Sequence, residues 1–425
     1  MSRPDTVASS TTRRTFLRYA GLAAAAPIFT EAHFAMAAAK GVAKGVAKGV
    51  AKEAAKSEPL TPGMLLRSAM PADAVLINAN ENPLGPCQAA CDLIAKIAPM
   101  GGRYDLYGET DKLTQTFAAQ HGLKENYIAV YAGSSEPLHY SVLAFTSPSR
   151  GLVVADPTYE AAMRAAQVSG AKISKIPLTA TYAHDVKAMV AADSNAGVIY
   201  LCNPNNPTGT ITGKKEILWA LEHKPKGSIL LVDEAYIHLS DAEDVLDLVA
   251  ADKDVIVLRT FSKIYGLAGI RCGLAVGRPD LLAKLEPFGQ NPMSITGSAA
   301  AAVSLLDPDL VPTRKKITAD TRNNTIAWLK TNGYKVIGDP QTNCFMIDTG
   351  RPGRGVIAAM QAKNVFIGRT WPIWPNAVRI SVGTPAEMAS FMTAFRQVMD
   401  APAAVVSAID PLHDLADPMR HRHNA

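Results

Sequence analysis

The stretch "VIVLRTFSKIYGLAGIRCG" (Val255–Gly273) decides the reading of this 425-residue chain. Val255–Leu258 is a continuous apolar run, the pattern of a strand buried on both faces. It ends on a hydroxyl, Thr260, and then sets Ser262 directly before Lys263, with Arg271 eight residues further on across two glycines. A surface loop is the plain alternative, because lysine is usually exposed. The chemical alternative is an amine that forms a Schiff base with a carbonyl cofactor, with hydroxyls and a guanidinium holding that cofactor's phosphate. Other strand ends decide between them.

Working outward, apolar runs alternate with amphipathic pieces from about Tyr127 to Val276. The runs are "GLVVAD" (Gly151–Asp156), "AGVIYLC" (Ala196–Cys202), "SILLVDE" (Ser228–Glu234), "DVIVLRT" and "CGLAVG" (Cys272–Gly277). Between them lie helix-like stretches such as Glu160–Gly170 and Lys214–His223. This alternation predicts an α/β fold, a largely parallel sheet with helices on both faces. From about Gly333 the pattern changes to short strands and a last helix, Pro385–Asp400, which predicts a smaller α+β domain. A long helical region around Asp309–Thr331 joins the two. Three polar motifs follow strand ends: "NPNNPTG" (Asn203–Gly209), "DEAY" (Asp233–Tyr236) and "TFSK" (Thr260–Lys263). Ligands of open α/β sheets sit beyond the carboxyl ends of the strands. Each motif alone has a local explanation as a turn or helix start; together they predict one shared ligand.

The charge of +5 is small for the length and gives no case for nucleic acid. Part of it lies in residues 1–37, where four arginines against Asp5 and Glu31 contribute a net two; without them the charge is +3. "TTRRTFLR" (Thr11–Arg18), a short alanine-rich apolar stretch and "AMA" (Ala35–Ala37) resemble a twin-arginine export signal. Export through that machinery, with the protein already folded, predicts a periplasmic location. "AKGVAKGVAKGVAKEAAK" (Ala39–Lys56) repeats a unit whose glycines weaken a helix, and reads as a spacer. The expected organisation is signal 1–37, linker 38–60, an N-terminal segment 61–105 contributing to the smaller domain, a large domain 106–330, a small domain 331–400 and a tail 401–425. Five scattered cysteines, an odd number, make no disulfide framework. No histidine accompanies Cys87 and Cys91 at metal-ligand spacing, so no metal is expected. Cys202 and Cys272 read as buried free thiols, and His238 as structural.

Taken together, the motifs resemble the aminotransferase class I and II family, in the type I fold that uses pyridoxal 5′-phosphate. Within it they are similar to histidinol-phosphate aminotransferases. "NANENPLGP" (Asn78–Pro86), Arg103–Tyr104, "AGSSEPL" (Ala132–Leu138), "DPTYEAAMRAA" (Asp156–Ala166) and "RISVGTPAEM" (Arg379–Met388) carry the likeness. The resemblance implies Lys263 as the Schiff-base lysine and proton carrier, and Asp233 as the carboxylate under the pyridine nitrogen. It implies Tyr236 and Asn206 as donors to the 3′-oxygen and Tyr159 as the aromatic on the ring face. The phosphate cup would be Ser134, Ser135, Ser262 and Arg271, with Thr260 assisting. Tyr104 (or its rival Tyr107) would cross to a neighbouring subunit, implying a homodimer with shared sites. Arg379 would take the substrate's carboxylate, with Arg369 and Asn82 on the substrate side. The partners implied are a small amino donor and a 2-oxo acid acceptor. A decarboxylase or amino-acid oxidase on the same fold, and a true histidinol-phosphate aminotransferase, are the alternatives. Glycines of "GLAGIRCG" are expected to admit backbone close to the phosphate. Trp371 and Trp374 stand between packing and substrate contact.

Overall fold

The computed structural model describes residues 71, 73–289 and 291–402. The expected signal, spacer and tail therefore lie outside the described residues. Seven strands form the main sheet: β2 (Ile128–Tyr131), β3 (Gly151–Asp156), β4 (Ile173–Pro177), β5 (Ala196–Cys202), β6 (Ile229–Asp233), β7 (Val255–Thr260) and β8 (Gly273–Gly277). Their spatial order is β2-β8-β7-β6-β5-β3-β4. The five strands from β7 to β4 are parallel, and β8 runs antiparallel to both β7 and β2. Two antiparallel steps restore direction, so β2 points the same way as β7. The carboxyl ends of β2, β5, β6 and β7 and the amino end of β8 thus meet at one edge.

The continuous apolar runs follow from burial on both sides. Val153, Ile199, Leu201, Leu230, Val232, Val255 and Val257 belong to one core. The intervening Leu152, Val154, Val198, Leu231, Ile256 and Leu258 belong to the other. Side chains alternate across a strand, so each strand feeds both cores. Burying each such side chain contributes about 1.5–3 kcal/mol, which makes a one-residue register slip costly throughout the sheet.

The smaller lobe has an antiparallel sheet of β9 (Lys335–Ile337), β10 (Cys344–Asp348) and β12 (Ala377–Ser381), in the order β12-β10-β9. A separate parallel pair joins β1 (Val75–Ile77) to β11 (Val365–Ile367). The helices Gly353–Gln361 and Pro385–Asp400 close its core around Phe345, Ile347, Ile380, Phe391 and Phe395. The second helix starts at a capping box, Thr384 with Glu387, and Pro385 occupies its first turn. The helix Leu310–Thr331, roughly 33 Å long at 1.5 Å per residue, ties the lobes. Leu310 is in a large-lobe core and Leu329 in the small-lobe core.

The segment 61–105 was expected to contribute to the smaller domain; its described part contributes to both lobes. Ile77 of β1 packs into the small-lobe core, while Ala90 of the helix Gln88–Ile97 packs with the large-lobe residues Leu113 and Phe117. The connecting residues 78–87 cross between the lobes, and this crossing shapes the site.

Candidate active site

At the shared edge, the turn after β2 meets the start of β8. Tyr131 and Thr260 both face Gly273 in register. A Cβ on Gly273 would lie 2.5 Å from the carbonyl carbon of Gly133 and from the nitrogen of Ser134. Gly133 has φ +94°, and a Cβ there would meet Nη2 of Arg271 at 2.2 Å. Only glycine permits this approach. Ser134 precedes the helix Ser135–Phe145 without a side-chain capping bond, and the free N–H groups and dipole of that helix end favour an anion. Arg271, at φ +64°, is fixed by bonds from Nη1 to the Ala268 carbonyl (2.8 Å) and from Nη2 to the Ala132 carbonyl (2.9 Å). Its Nη1 also donates to Ser262 Oγ at 3.4 Å. The Thr260 hydroxyl accepts from the Ser262 N–H at 3.1 Å, which orients that loop. Ser134, Ser135, Thr260, Ser262 and Arg271 are thus assembled into one cup. The glycine expectation needs correction in part. A Cβ on Gly266 would meet the Gly85 carbonyl at 2.0 Å, so Gly266 serves chain packing, and Gly269 has open space around it.

Beside the cup, Asp233 ends β6 and is buried. Tyr200 Oη donates to its Oδ2 at 3.0 Å and the Ala235 N–H to its Oδ1 at 3.1 Å. Burial pushes its pKa up to about 6, against the opposing pull of these two donors and of Lys263. Lys263 Nζ donates to the Asn80 carbonyl at 3.0 Å and lies 5.4 Å from the centre of the Tyr236 ring. Burial lowers its pKa to about 8, and the Arg379 charge adds to the lowering. Tyr236 accepts from Asn80 Nδ2 at 3.1 Å, and burial holds its phenol well above the usual range. Tyr159 reaches Ser135 across 3.3 Å between hydroxyls. Asn206 accepts from Arg379 Nη1 at 3.1 Å through its Oδ1, which turns its amide N–H groups the other way.

Arg379 is buried in β12 and also donates from Nη2 to the Asn78 carbonyl at 2.7 Å. Trp371 is buried with two guanidiniums near its ring, Arg369 at 4.3 Å and Arg379 at 5.6 Å from the ring centre. Its indole N–H donates to the Thr158 carbonyl at 3.2 Å. Arg369 is ion-paired with Glu160. Trp374 meets Tyr182 edge-on at 5.7 Å. Both tryptophans thus have packing partners within the chain. Asn82 spends its amide on the Ile264 carbonyl at 3.0 Å. Tyr104 is 77% exposed, and Tyr107 is exposed as well.

Three participants escaped the sequence reading as site residues. Tyr200 sits inside an apolar run and reads as core. Asn80 and Asn343 reach the site only through the crossing segment: Asn343 Nδ2 donates to the Asn80 carbonyl at 3.1 Å. The quoted "NANENPLGP" was the available signal for Asn80. Cys202 and Cys272 are buried thiols whose pKa burial raises, that of Cys272 to about 12. His238 Nε2 lies 3.2 Å from Arg259 Nη1, in a buried group with the Arg259–Glu234 ion pair.

A half-buried lysine of lowered pKa, a buried carboxylate of raised pKa and an anion cup, all at the carboxyl edge of a mostly parallel sheet, define an enzyme of the type I pyridoxal-phosphate class. Residues 72–395 match the family profile "Aminotransferase class I and II", and the chain belongs to that family. It is 32% identical to histidinol-phosphate aminotransferase of Moorella thermoacetica over 340 residues, covering 77% of this chain and 86% of that protein. It is also 32% identical to aromatic amino acid aminotransferase of Cutibacterium acnes over 321 residues, covering 74% and 90%. The crystal structure of histidinol-phosphate aminotransferase from Sinorhizobium meliloti with pyridoxal-5′-phosphate aligns with a TM-score of 0.72 and 25% identity, covering 81% of this chain and 96% of that one. The protein is a pyridoxal-phosphate-dependent transaminase, moving an amino group between an amino donor and a 2-oxo acid.

The residues present fit this cofactor. The cradle of Gly133 and Gly273 leaves backbone N–H groups and Arg271 for a phosphate, and Asp233 is an anion whose burial a cationic ring nitrogen would offset. Lys263 would hold the aldehyde covalently; Tyr236 and Asn206 would face its ring oxygen, and Tyr159 its ring. When bound, the cofactor supplies the aldehyde that takes the substrate nitrogen and the ring that accepts the electrons of the Cα–H bond. Lys263 Nζ, with its pKa lowered to about 8, would reach at a lower pH than an ordinary lysine the unprotonated form that can take a proton from the substrate Cα and return it. Asp233 holds negative charge at the foot of the site, and Tyr200 and the Ala235 N–H keep it oriented. The Arg379 guanidinium is held between Asn206 and Asn78, which would give a substrate carboxylate a fixed cation.

Proposed function

We propose that the amino donor is a free α-amino acid with an apolar or aromatic side chain, its carboxylate received by Arg379. The carrying observation is the state of Arg369. A phosphate-bearing donor needs a second cation near Arg379, and Arg369 is already neutralised by Glu160 and laid against Trp371. Relatives named for histidinol phosphate and for aromatic amino acids are similarly distant, and the second group supports this reading. The test is a half-reaction screen. Purified holoenzyme is mixed with single amino acids or histidinol phosphate, and loss of the visible absorbance of the lysine-bound cofactor is followed. An aromatic or large apolar amino acid should react fastest. Histidinol phosphate exceeding every free amino acid in specificity refutes the proposal.

We also infer export through the twin-arginine route to the periplasm, on the motif Thr11–Arg18, and a homodimer in which Tyr104 reaches the partner's site. The exposed run Tyr104, Leu106 and Tyr107 supports the second inference. Cell fractionation of the wild type and of the Arg13→Lys, Arg14→Lys double variant tests the first; wild type found at full length in the cytosol overturns it. Activity that stays unchanged in Tyr104→Ala, or a monomer by sedimentation, overturns the second.

A further inference from the structure

Asn80 lies on the crossing segment, buried, with φ +53°. That left-handed conformation is uncommon outside glycine and is best tolerated by Asn and Asp. Its backbone N–H donates to Ser381 Oγ at 2.8 Å, and Ser381 Oγ donates to its Oδ1 at 2.9 Å. The pair fixes which end of the amide is oxygen. The amide nitrogen is then directed at Tyr236 Oη and at Cys344 Sγ, both 3.1 Å away. The carbonyl accepts from Lys263 Nζ at 3.0 Å and from Asn343 Nδ2 at 3.1 Å. One residue therefore joins the large-lobe groups Tyr236 and Lys263 to the small-lobe groups Ser381, Asn343 and Cys344.

We propose that Asn80 is a positioning residue for transamination, setting the proton of Tyr236 and the resting place of the Lys263 amine. Because the amide donates to the phenol oxygen and offers it no acceptor, Tyr236 must turn its own proton elsewhere. Donation into the phenol also makes that proton a better hydrogen-bond donor, since chained hydrogen bonds polarise one another. The carbonyl gives the lysine nitrogen a fixed acceptor when it is not covalently engaged. The unusual backbone conformation is what aims the carbonyl at the lysine and the amide at the tyrosine from one residue.

The test titrates the visible absorbance of the lysine-bound cofactor against pH in holoenzyme, and records melting temperature in parallel. Asn80→Asp replaces the donor by an acceptor and puts negative charge near Lys263. Tyr236 then turns its proton inward, and the cationic form of the lysine nitrogen is favoured. The absorbance midpoint should rise by about one pH unit, a tenfold change in protonation equilibrium. Asn80→Gly keeps the left-handed backbone and the carbonyl while deleting the amide, and should raise the midpoint by less. In a Tyr236→Phe background, Asn80→Gly should add no further shift, because the phenol it acts through is gone. A lowered melting temperature with an unmoved midpoint in Asn80→Asp would reduce Asn80 to a staple between lobes and overturn the proposal. Shifts that add in the Tyr236→Phe background would overturn it too. If Asn80→Asp does not fold, the Gly and Phe pair decides alone.

Discussion

Replacing Lys263 by methionine should inactivate the enzyme and at the same time stabilise the cofactor-free protein near neutral pH. In the folded chain, burial and the Arg379 charge lower the lysine's pKa from 10.5 to about 8. At pH 7 the amine is protonated in both folded and unfolded chains, and the folded one bears the desolvation. Two and a half pKa units correspond to roughly 3 kcal/mol. The variant also loses the bond to the Asn80 carbonyl, about 1 kcal/mol, leaving a net gain of roughly 2 kcal/mol. The sign with pH is definite. Between pH 8 and 10.5 the unfolded wild type binds more protons than the folded one, so wild-type stability rises with pH there. The variant has no such group, so its advantage is full below pH 8 and fades by about pH 10.5. Urea unfolding of both cofactor-free proteins, at one protein concentration and several pH values from 6 to 10.5, measures this. A stability difference that stays flat across that range refutes the lowered lysine pKa and the burial argument behind it.

Asp233→Asn should keep the fold and some cofactor while slowing Cα proton transfer by orders of magnitude, read by single-turnover absorbance. Cofactor-free wild type should lose stability as pH rises from about 4 through 6, since burial raises Asp233, and the variant should not. Gly133→Ala forces a methyl against Arg271 at φ +94° and should weaken cofactor affinity at least about tenfold, measured by fluorescence titration. Arg379→Ala should cost about 3 kcal/mol of transition-state binding, roughly a hundredfold in kcat/KM toward amino acids, with the cofactor absorbance retained. Glu160→Gln releases Arg369 and should shift relative kcat/KM toward acidic or phosphate-bearing donors; unchanged preference would show that the ion pair plays no part in selectivity.

Much of this site could be read locally because each motif directly follows a strand. A run buried on both faces must stop where polar side chains begin, so "DEAY" and "TFSK" announce their own position on the edge of the sheet. Ser134 and Ser135, which open a helix within one turn of β2, were reached through the resemblance that "AGSSEPL" carries. The long helix Leu310–Thr331 and the change to short strands after Gly333 were legible from apolar spacing.

Periodicity and the motifs at strand ends therefore determined the α/β class, the edge that carries the site and the lysine with its flanking Ser262 and Arg271, while the roles of Asp233, Ser134 and Ser135 came from the family resemblance those motifs carry. Tertiary structure decided what depends on contacts between distant residues. It reversed β8 and thereby brought Arg271 to the turn after β2. It divided the N-terminal segment between lobes and made Asn80, 183 positions from Lys263, the acceptor of its amine. It paired Arg369 with Glu160 across 209 positions, changing an available cation into a neutralised one. Hydrophobic spacing specifies which face of an element is buried, but not which distant hydrogen-bonding group will share that burial. That choice is made when the lobes close and each buried polar atom must find a partner.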